Sequence, residues 1–124
     1  MTATIAAQVH RQAVNASVKE IAGRLQELLT RRLTAYIAGV DSGKTVARWA
    51  TGQVTEIRNQ ETELLLRTAY EIALLLLGQD SPQTVRAWFI GLNPQLGDVS
   101  PAQAIHDGQL KEALSAARAF IAGG

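Results

Sequence analysis

Apolar residues recur every three to five positions along the first 30 residues, which is the spacing of one face of an α-helix. The series consists of Ile5, Val9, Val14, Val18, Ile21, Leu25, Leu28 and Leu29. It predicts one long amphipathic helix, or two abutting helices, over about 4–30. Gly23 interrupts the series and costs about 1 kcal/mol relative to alanine inside a helix. We therefore expect a bend at this glycine.

Two short helices are predicted in the next segment, RRLTAYIAGVDSGKTVARWATGQ at 31–53. The first ends at Gly39, because glycine readily adopts the left-handed conformation that follows many helices. The residues VDSG at 40–43 form a tight turn. Val46 and Trp49 lie one helical turn apart and anchor the second helix in the interior.

The most apolar segment of the chain predicts a central helix at about 61–77. Leucine, isoleucine and alanine occupy most of its sides, which is typical of a helix that is covered all around. Arg67 and Glu71 interrupt the apolar run ELLLRTAYEIALLLLG at 63–78. The run is therefore too short and too charged to cross a bilayer, which needs about 20 apolar residues.

Capping signals mark the helix starts in the remainder of the chain. Ser81-Pro82 and Ser100-Pro101 each combine a preferred N-cap residue with proline, which fits the first helical position. Asp107 is the expected cap of a last helix at 108–121. No segment shows the alternating pattern of a half-buried strand, so the predicted fold class is all-α.

The predicted architecture is a helical bundle with three regions that together form one compact domain. Residues 1–30 make the N-terminal amphipathic helix, 31–60 a degenerate helix-turn-helix segment, and 61–124 a C-terminal helical region. The apolar stripe of the first region either packs on the chain's own core or mediates dimerisation. The sequence leaves both alternatives open.

Composition excludes several classes of function. The 124 residues are 47% hydrophobic and 19% charged, as in ordinary globular proteins. The absence of cysteine excludes disulfides and thiolate metal sites and fits the cytoplasm, and the first ten residues lack the features of a secretory signal. His10 and His106 have no nucleophile or carboxylate cluster at a suitable spacing. We therefore expect no enzymatic activity, no metal, no cofactor and no membrane partner.

Charge is distributed unevenly along the chain. Residues 1–59 contain eight Lys or Arg and four acidic residues, a net charge of +4, whereas residues 60–124 contain four and seven, a net charge of −3. Such asymmetry suggests two different partners, one of them anionic. The acidic residues Glu56, Glu61, Glu63 and Glu71 are expected to face solvent and to supply negative charge at helix N-termini.

Residues 33–49 have the rhythm of a DNA-binding helix-turn-helix. Gly39 allows the sharp turn, Val40 fills the space between the helices, and Val46 anchors the second helix. The outward face of the second helix carries short polar and basic groups suited to phosphates and base edges. These candidate DNA-binding residues are Ser42, Lys44, Thr45 and Arg48. The turn is one residue longer than usual, so a helical hairpin that only packs remains the alternative.

The connection RAWFIGLNPQLGDVSPAQAI at 86–105 is unusually specific. Trp88 and Phe89 are neighbours and point to different helix faces, so both are buried only if the helix is covered on two sides. Asn93-Pro94 imposes an extended residue before the proline. The residues alone indicate a rigid, well-capped corner of a helical bundle.

This connection resembles the C-terminal domain of the Xre/MbcA/ParS antitoxins, and the MbcA branch most closely. In that family a tryptophan helix leads into an Asn-Pro-x-Leu-Gly loop, a proline-started short helix and a last helix. The resemblance covers about 31–122. The residues that match the family motif are Arg86, Trp88, Asn93, Pro94, Leu96, Gly97 and Pro101.

The resemblance implies a type II antitoxin whose partner is a toxin with a RES domain, which consumes NAD. The antitoxin packs on the toxin through its C-terminal domain and blocks the active-site entrance. The implied contacts lie in the last helix and include Arg118, Phe120 and Ile121. Because the chain ends in FIAGG, we expect no long tail to enter the toxin.

A second functional hypothesis is a stand-alone helix-turn-helix transcriptional regulator, such as a phage or plasmid repressor. The basic first half of the chain motivates it, and operator DNA would then be the partner. The two hypotheses are compatible, since antitoxins of this kind can repress their own operon. Both imply an oligomer, either of this chain alone or together with the toxin.

Overall fold

The computed structural model describes residues 2–123, with side chains from residue 5 onward. Within these residues the fold is all-α, as predicted, with eight α-helices, one short 3-10 helix at Pro94–Leu96 and no strand. The α-helices are α1 (Thr2–Asn15), α2 (Val18–Leu29), α3 (Arg31–Ala38), α4 (Gly43–Ala50), α5 (Gln60–Leu77), α6 (Pro82–Ile90), α7 (Pro101–His106) and α8 (Leu110–Ile121).

Helix α5 lies at the centre, which confirms the prediction from its apolar composition. Six of the other described helices pack against it, and α4 rests instead on α2 and α3. The side chain of Asn59 accepts a hydrogen bond from the Thr62 amide and begins the helix. A single cluster of buried apolar side chains extends from Ala13 in α1 to Ala117 in α8. The core therefore joins the two ends of the described chain.

The first 30 residues form two helices, and the bend predicted at Gly23 is wrong. The break lies at Ala16 and Ser17, where the Ser17 hydroxyl accepts a hydrogen bond from the Glu20 amide at 3.0 Å. Gly23 lies inside α2 without interrupting it. An N-cap serine marks a new helix start, whereas a lone glycine only weakens a helix that packing already stabilises.

The apolar stripe of the first two helices divides into a buried and an exposed part. Val18, Ile21 and Leu25 are buried in the chain's own core. Ile5 and Val14 in α1 remain exposed. Packing on the core therefore accounts for the stripe within α2, and the dimerisation alternative applies only to α1.

The helix starts in the last third of the chain follow the capping signals in two cases and depart from them in one. Ser81 and Ser100 each accept a hydrogen bond from the amide three residues later, as predicted. Asp107 instead follows the last residue of α7 and does not begin α8. Gly108 has φ of +82° and turns the chain away from α7, so α8 starts only at Leu110.

Two arginines from the C-terminal half satisfy the carbonyl ends of the N-terminal helices. Arg67 Nη1 donates to three main-chain oxygens at the end of α1, at 2.8–3.2 Å. Arg86 Nε donates to the Leu28 carbonyl oxygen at 2.7 Å, at the end of α2. Both cations lie where the unpaired carbonyls and the helix dipole favour positive charge.

The structure also bears on contact with a bilayer. In the described part of the chain, no helix has both the length and the apolar character needed to cross a membrane.

Candidate functional site

Helices α3 and α4 are joined by a four-residue turn at 39–42. Gly39 has φ of +75°, and the Val40 amide donates to the Ala35 carbonyl oxygen at 3.0 Å, which closes the end of α3. Val46 and Trp49 are buried and hold α4 on the rest of the protein, as the sequence predicts. The opposite side of α4 is left free to face solvent.

The four residues predicted to contact DNA lie on or beside this free side. Ser42, Lys44 and Arg48 are exposed, and Thr45 is half-buried. The Ser42 hydroxyl makes no capping hydrogen bond to α4, unlike the serines that begin α2, α6 and α7. The structure thus brings three of the four predicted side chains to one accessible surface.

Two arginines that the sequence analysis did not select extend this surface. Arg31 and Arg32 begin α3 and line a cleft of about 560 Å³ together with Asp41 and Ser42. The start of α4 packs closely on Arg31, since a Cβ added to Gly43 would lie 3.1 Å from Arg31 Cβ. We name the exposed cations Arg31, Arg32, Lys44 and Arg48 the cationic face. The sequence feature that could have identified them is the pair of adjacent arginines directly before the helix-turn-helix pattern.

The corner after α6 is a closed, hydrogen-bonded loop. The Asn93 side chain accepts from the Gln95 amide at 2.9 Å, and the Asn93 amide donates to the Val99 carbonyl oxygen at 3.0 Å. Gly97 and Asp98 both have positive φ, at +68° and +64°. Leu96 is buried beneath the loop. These contacts use Asn93, Leu96 and Gly97 to build the corner itself.

The remaining residues of the family motif also shape the protein interior. Arg86 is bound to the end of α2, and Pro101 is buried at the start of α7. Trp88 and Phe89 are both buried, as expected for a helix covered on two sides. Their rings meet edge to face, with centroids 5.3 Å apart. Pro94 is exposed, as are Arg86 and Gly97, and it begins the 3-10 helix.

Three exposed apolar side chains lie on the elements that flank this corner. Ile90 and Leu92 are 56% and 76% exposed, directly after the aromatic pair. Phe120, in the last turn of α8, is 38% exposed, and its ring centroid lies 6.4 Å from that of Trp88. We name Ile90, Leu92 and Phe120 the apolar corner. Clusters of exposed apolar groups on a rigid support are typical of protein-binding surfaces.

The other two residues predicted to contact a toxin lie beside Phe120. Arg118 is exposed and Ile121 is half-buried. Together with Phe120 they form the final turn of α8. The structure therefore places all three residues in the last turn of α8, where the Phe120 ring lies near Trp88.

A stacked pair joins the helix of the cationic face to the helix after the corner. The rings of Tyr36 in α3 and His106 in α7 lie parallel, with centroids 4.2 Å apart. His106 Nδ1 also bonds to the Tyr36 main-chain oxygen. Partial burial, and then the nearby charge of Asp107, raise the pKa of the Tyr36 hydroxyl. The pair gives the two candidate surfaces a common structural support.

Polar side chains outside the two surfaces also make structural contacts. His10 Nδ1 lies 3.0 Å from Glu71 Oε1, so the prediction that Glu71 faces solvent is wrong. Burial, together with the hydrogen bond to Glu20, raises the pKa of Tyr70. Within the described chain, no three His, Asp or Glu side chains come close enough to hold a metal ion.

An apolar cleft of about 280 Å³ lies between α2, α5 and the start of α6. Leu28, Leu74 and Leu77 are among its lining residues, and Arg24 and Glu27 contribute charge. It contains no predicted site residue.

The chain matches no known protein-family model, and comparison with curated proteins and with solved structures finds no similar protein. The function is therefore inferred from the cationic face and the apolar corner.

Proposed function

We propose that this chain is the antitoxin of a type II toxin–antitoxin system, and that it binds and occludes a RES-domain toxin that consumes NAD. The observation that carries the proposal is the apolar corner, whose residues Ile90 and Leu92 lie in the segment that resembles the antitoxin motif and whose third residue, Phe120, lies at the end of α8. Leu92 is the most exposed of its three residues, at 76%. On this proposal the protein acts in the cytoplasm by binding alone, without catalytic residues, cofactor or metal.

The rigidity of the corner supports a role in docking. Its loop is closed by main-chain hydrogen bonds, and its aromatic floor of Trp88 and Phe89 is buried. A surface that is already ordered loses little conformational entropy when a partner binds. Arg86, Leu96 and Pro101 thus hold the surface in place rather than touch the toxin.

The final turn of α8 supplies the groups that reach a partner. Phe120 offers an aromatic side chain and Arg118 an exposed cation, two residue types enriched among the residues that dominate binding energy. Ile121 is half-buried and supports the turn. A toxin seated here is covered by the apolar corner and by the end of α8.

Co-expression with the product of the neighbouring gene tests the proposal. That product alone is expected to stop growth and deplete NAD, and this chain is expected to restore both. The double variant Leu92→Asp with Phe120→Asp should lose the rescue. The matched control, Ile5→Asp with Leu64→Asp, changes two exposed apolar residues outside the corner and should keep it. A harmless neighbour, or rescue by the corner variant, contradicts the proposal.

DNA binding is a second candidate function, and the cationic face favours it. Three of its exposed cations, Arg31, Arg32 and Lys44, lie near the start of α4 with the Ser42 hydroxyl, and Arg48 lies in the last turn of that helix. Such a surface suits phosphates, with side chains on α4 available for base edges. The chain would then repress its own operon as an antitoxin, or act as a stand-alone phage or plasmid repressor.

Binding to a duplex of the chain's own promoter tests this second function. Lys44→Ala with Arg48→Ala should weaken binding and flatten its dependence on salt, since each lost phosphate contact lowers the logarithmic slope by about 0.9. Arg11→Ala with Lys111→Ala removes two exposed cations elsewhere and serves as the control. Equal affinity of both double variants contradicts docking through the cationic face.

A further inference from the structure

We propose that the indole N–H of Trp88 is a hydrogen-bond donor for the docked toxin, held beneath the last turn of α8 until the toxin binds. The inference rests on the proposed function and names a residue that determines the strength of that contact. The acceptor is a main-chain carbonyl oxygen in an apolar segment of the toxin. Trp88 thereby has a binding role in addition to its place in the interior.

The donor has no acceptor within the protein. Trp88 Nε1 is inaccessible to solvent and is the only buried side-chain nitrogen or oxygen without a hydrogen-bond partner in the part of the chain described. Other buried polar groups are paired: Thr34 donates to the Thr30 carbonyl oxygen at 2.7 Å, and Tyr70 donates to Glu20 at 3.2 Å. An unpaired buried N–H is unfavourable and rare, so it calls for a functional explanation.

The position of the donor connects it to the apolar corner. Trp88 is 8% exposed, and the more exposed Phe120 ring contacts it from the last turn of α8. The terminal turns of helices open at low free-energy cost. A partner that displaces Phe120 can therefore reach the indole N–H without unfolding the core.

The surroundings of the donor select the chemistry of the acceptor. Its aromatic neighbours are Phe89 and Phe120, and the exposed side chains beside it are Ile90 and Leu92. A carboxylate would lose far more hydration in this setting than a neutral carbonyl. In such a dry contact a hydrogen bond to a carbonyl is strong, and it removes the unfavourable unpaired state of the free chain.

An isosteric replacement tests the donor directly. Benzothienylalanine at position 88 keeps the fused ring and replaces its N–H by sulfur. The probe is the purified product of the neighbouring gene. We expect Kd to rise about tenfold, because the toxin's carbonyl then lacks a donor. The same replacement at Trp49, which anchors α4, should leave Kd unchanged.

Measurements on the free chain keep the inference testable without the partner. The melting temperature should stay equal or rise with benzothienylalanine at position 88, since no hydrogen bond is lost. Phe120→Ala should accelerate hydrogen exchange of the Trp88 indole proton. A fall in melting temperature, or unchanged exchange, overturns the inference.

The binding outcomes separate this inference from the proposed function. If the natural chain binds the toxin and the position-88 isostere binds equally well, the inference fails and the proposed function stands. If the natural chain forms no complex, both fail.

Discussion

The cationic face and the apolar corner differ in how their side chains are held. The cationic face carries long basic side chains on two short helices, and the Ser42 hydroxyl there makes no capping hydrogen bond to α4. The loop side of the apolar corner, with Ile90 and Leu92, is fixed by a closed loop, by two capping serines and by the buried pair Trp88 and Phe89. Flexible charges suit a polyanion, and a fixed apolar surface suits a folded protein.

The difference indicates what a substitution in each region can reveal. Removal of the exposed Lys44 or Arg48 side chain from the cationic face changes charge and leaves the buried packing intact. Removal of a buried residue from the corner changes stability first and binding as a consequence. Variants in which the change in stability and the change in binding differ between the two regions sharpen the comparison. Variants to which both regions respond alike contradict it.

The largest effect is expected from the aromatic floor of the corner. Phe89→Ala should lower the free energy of unfolding by about 4 kcal/mol, because it removes a fully buried ring and leaves a cavity in its place. Ile90→Ala, at the neighbouring exposed position, should cost less than about 0.5 kcal/mol. Urea unfolding monitored by circular dichroism measures both, and equal costs would mean that the floor is not packed as described.

Arg86 should give the next largest effect, since it joins the corner to the helix that supports the cationic face. Arg86→Ala should cost about 2 kcal/mol, because the Leu28 carbonyl oxygen loses a charged donor. Arg86→Lys should recover part of this loss. Unfolding curves of the two Arg86 variants measure these changes in the free energy of unfolding. A variant that loses toxin binding at unchanged stability would instead make Arg86 a contact residue.

Substitution of the serines before the helices should distinguish the two regions by about 1 kcal/mol in the free energy of unfolding. Ser81→Ala and Ser100→Ala should each cost about that much, since each hydroxyl accepts an amide hydrogen bond. Ser42→Ala should change stability little, because its hydroxyl makes no such bond. Thermal unfolding of the three variants provides the measurement. A loss at Ser42 equal to the others would show that this hydroxyl is engaged in capping.

The smallest effect concerns the Tyr36–His106 pair between the regions. The pKa of Tyr36 is raised by burial and by Asp107, so the folded state holds the phenol proton more tightly than the unfolded state does. The resulting stability is present below about pH 10 and is lost as pH rises through the folded pKa. Tyr36→Phe should therefore show a shallower loss of stability between neutral and alkaline pH. Identical pH profiles would contradict this assignment.

Local signals account for the parts of the fold that were predicted correctly. Gly39, Ser81-Pro82 and Ser100-Pro101 each determine the conformation of their own few residues, so the sequence specifies these boundaries directly. The break at Ser17 had a signal of the same kind, Ser-Val-Lys-Glu, which matches a capping box. The continuous apolar spacing across Ser17 favours an uninterrupted helix. The low helix propensity of Gly23 therefore led to a bend predicted at the wrong position.

Contacts between distant residues account for what the sequence did not predict. Arg67 binds carbonyls more than 50 positions earlier, and His10 reaches Glu71 across 61 positions. Such partners are set by the packing of α1 on α5, which no local pattern encodes. The candidate site follows the same division: its motif residues, and the arginine pair Arg31 and Arg32, are local features of the sequence, whereas the cleft that these arginines line and the unpaired indole of Trp88 depend on the assembled structure.

The central claim is that the apolar corner binds the toxin and the cationic face does not. Titration calorimetry with the purified neighbouring-gene product tests it most directly, using the natural chain, the Leu92→Asp with Phe120→Asp variant and the Lys44→Ala with Arg48→Ala variant. The account predicts that the corner variant loses binding while the other two bind equally. Equal binding by the corner variant, or loss only in the cationic variant, would contradict it.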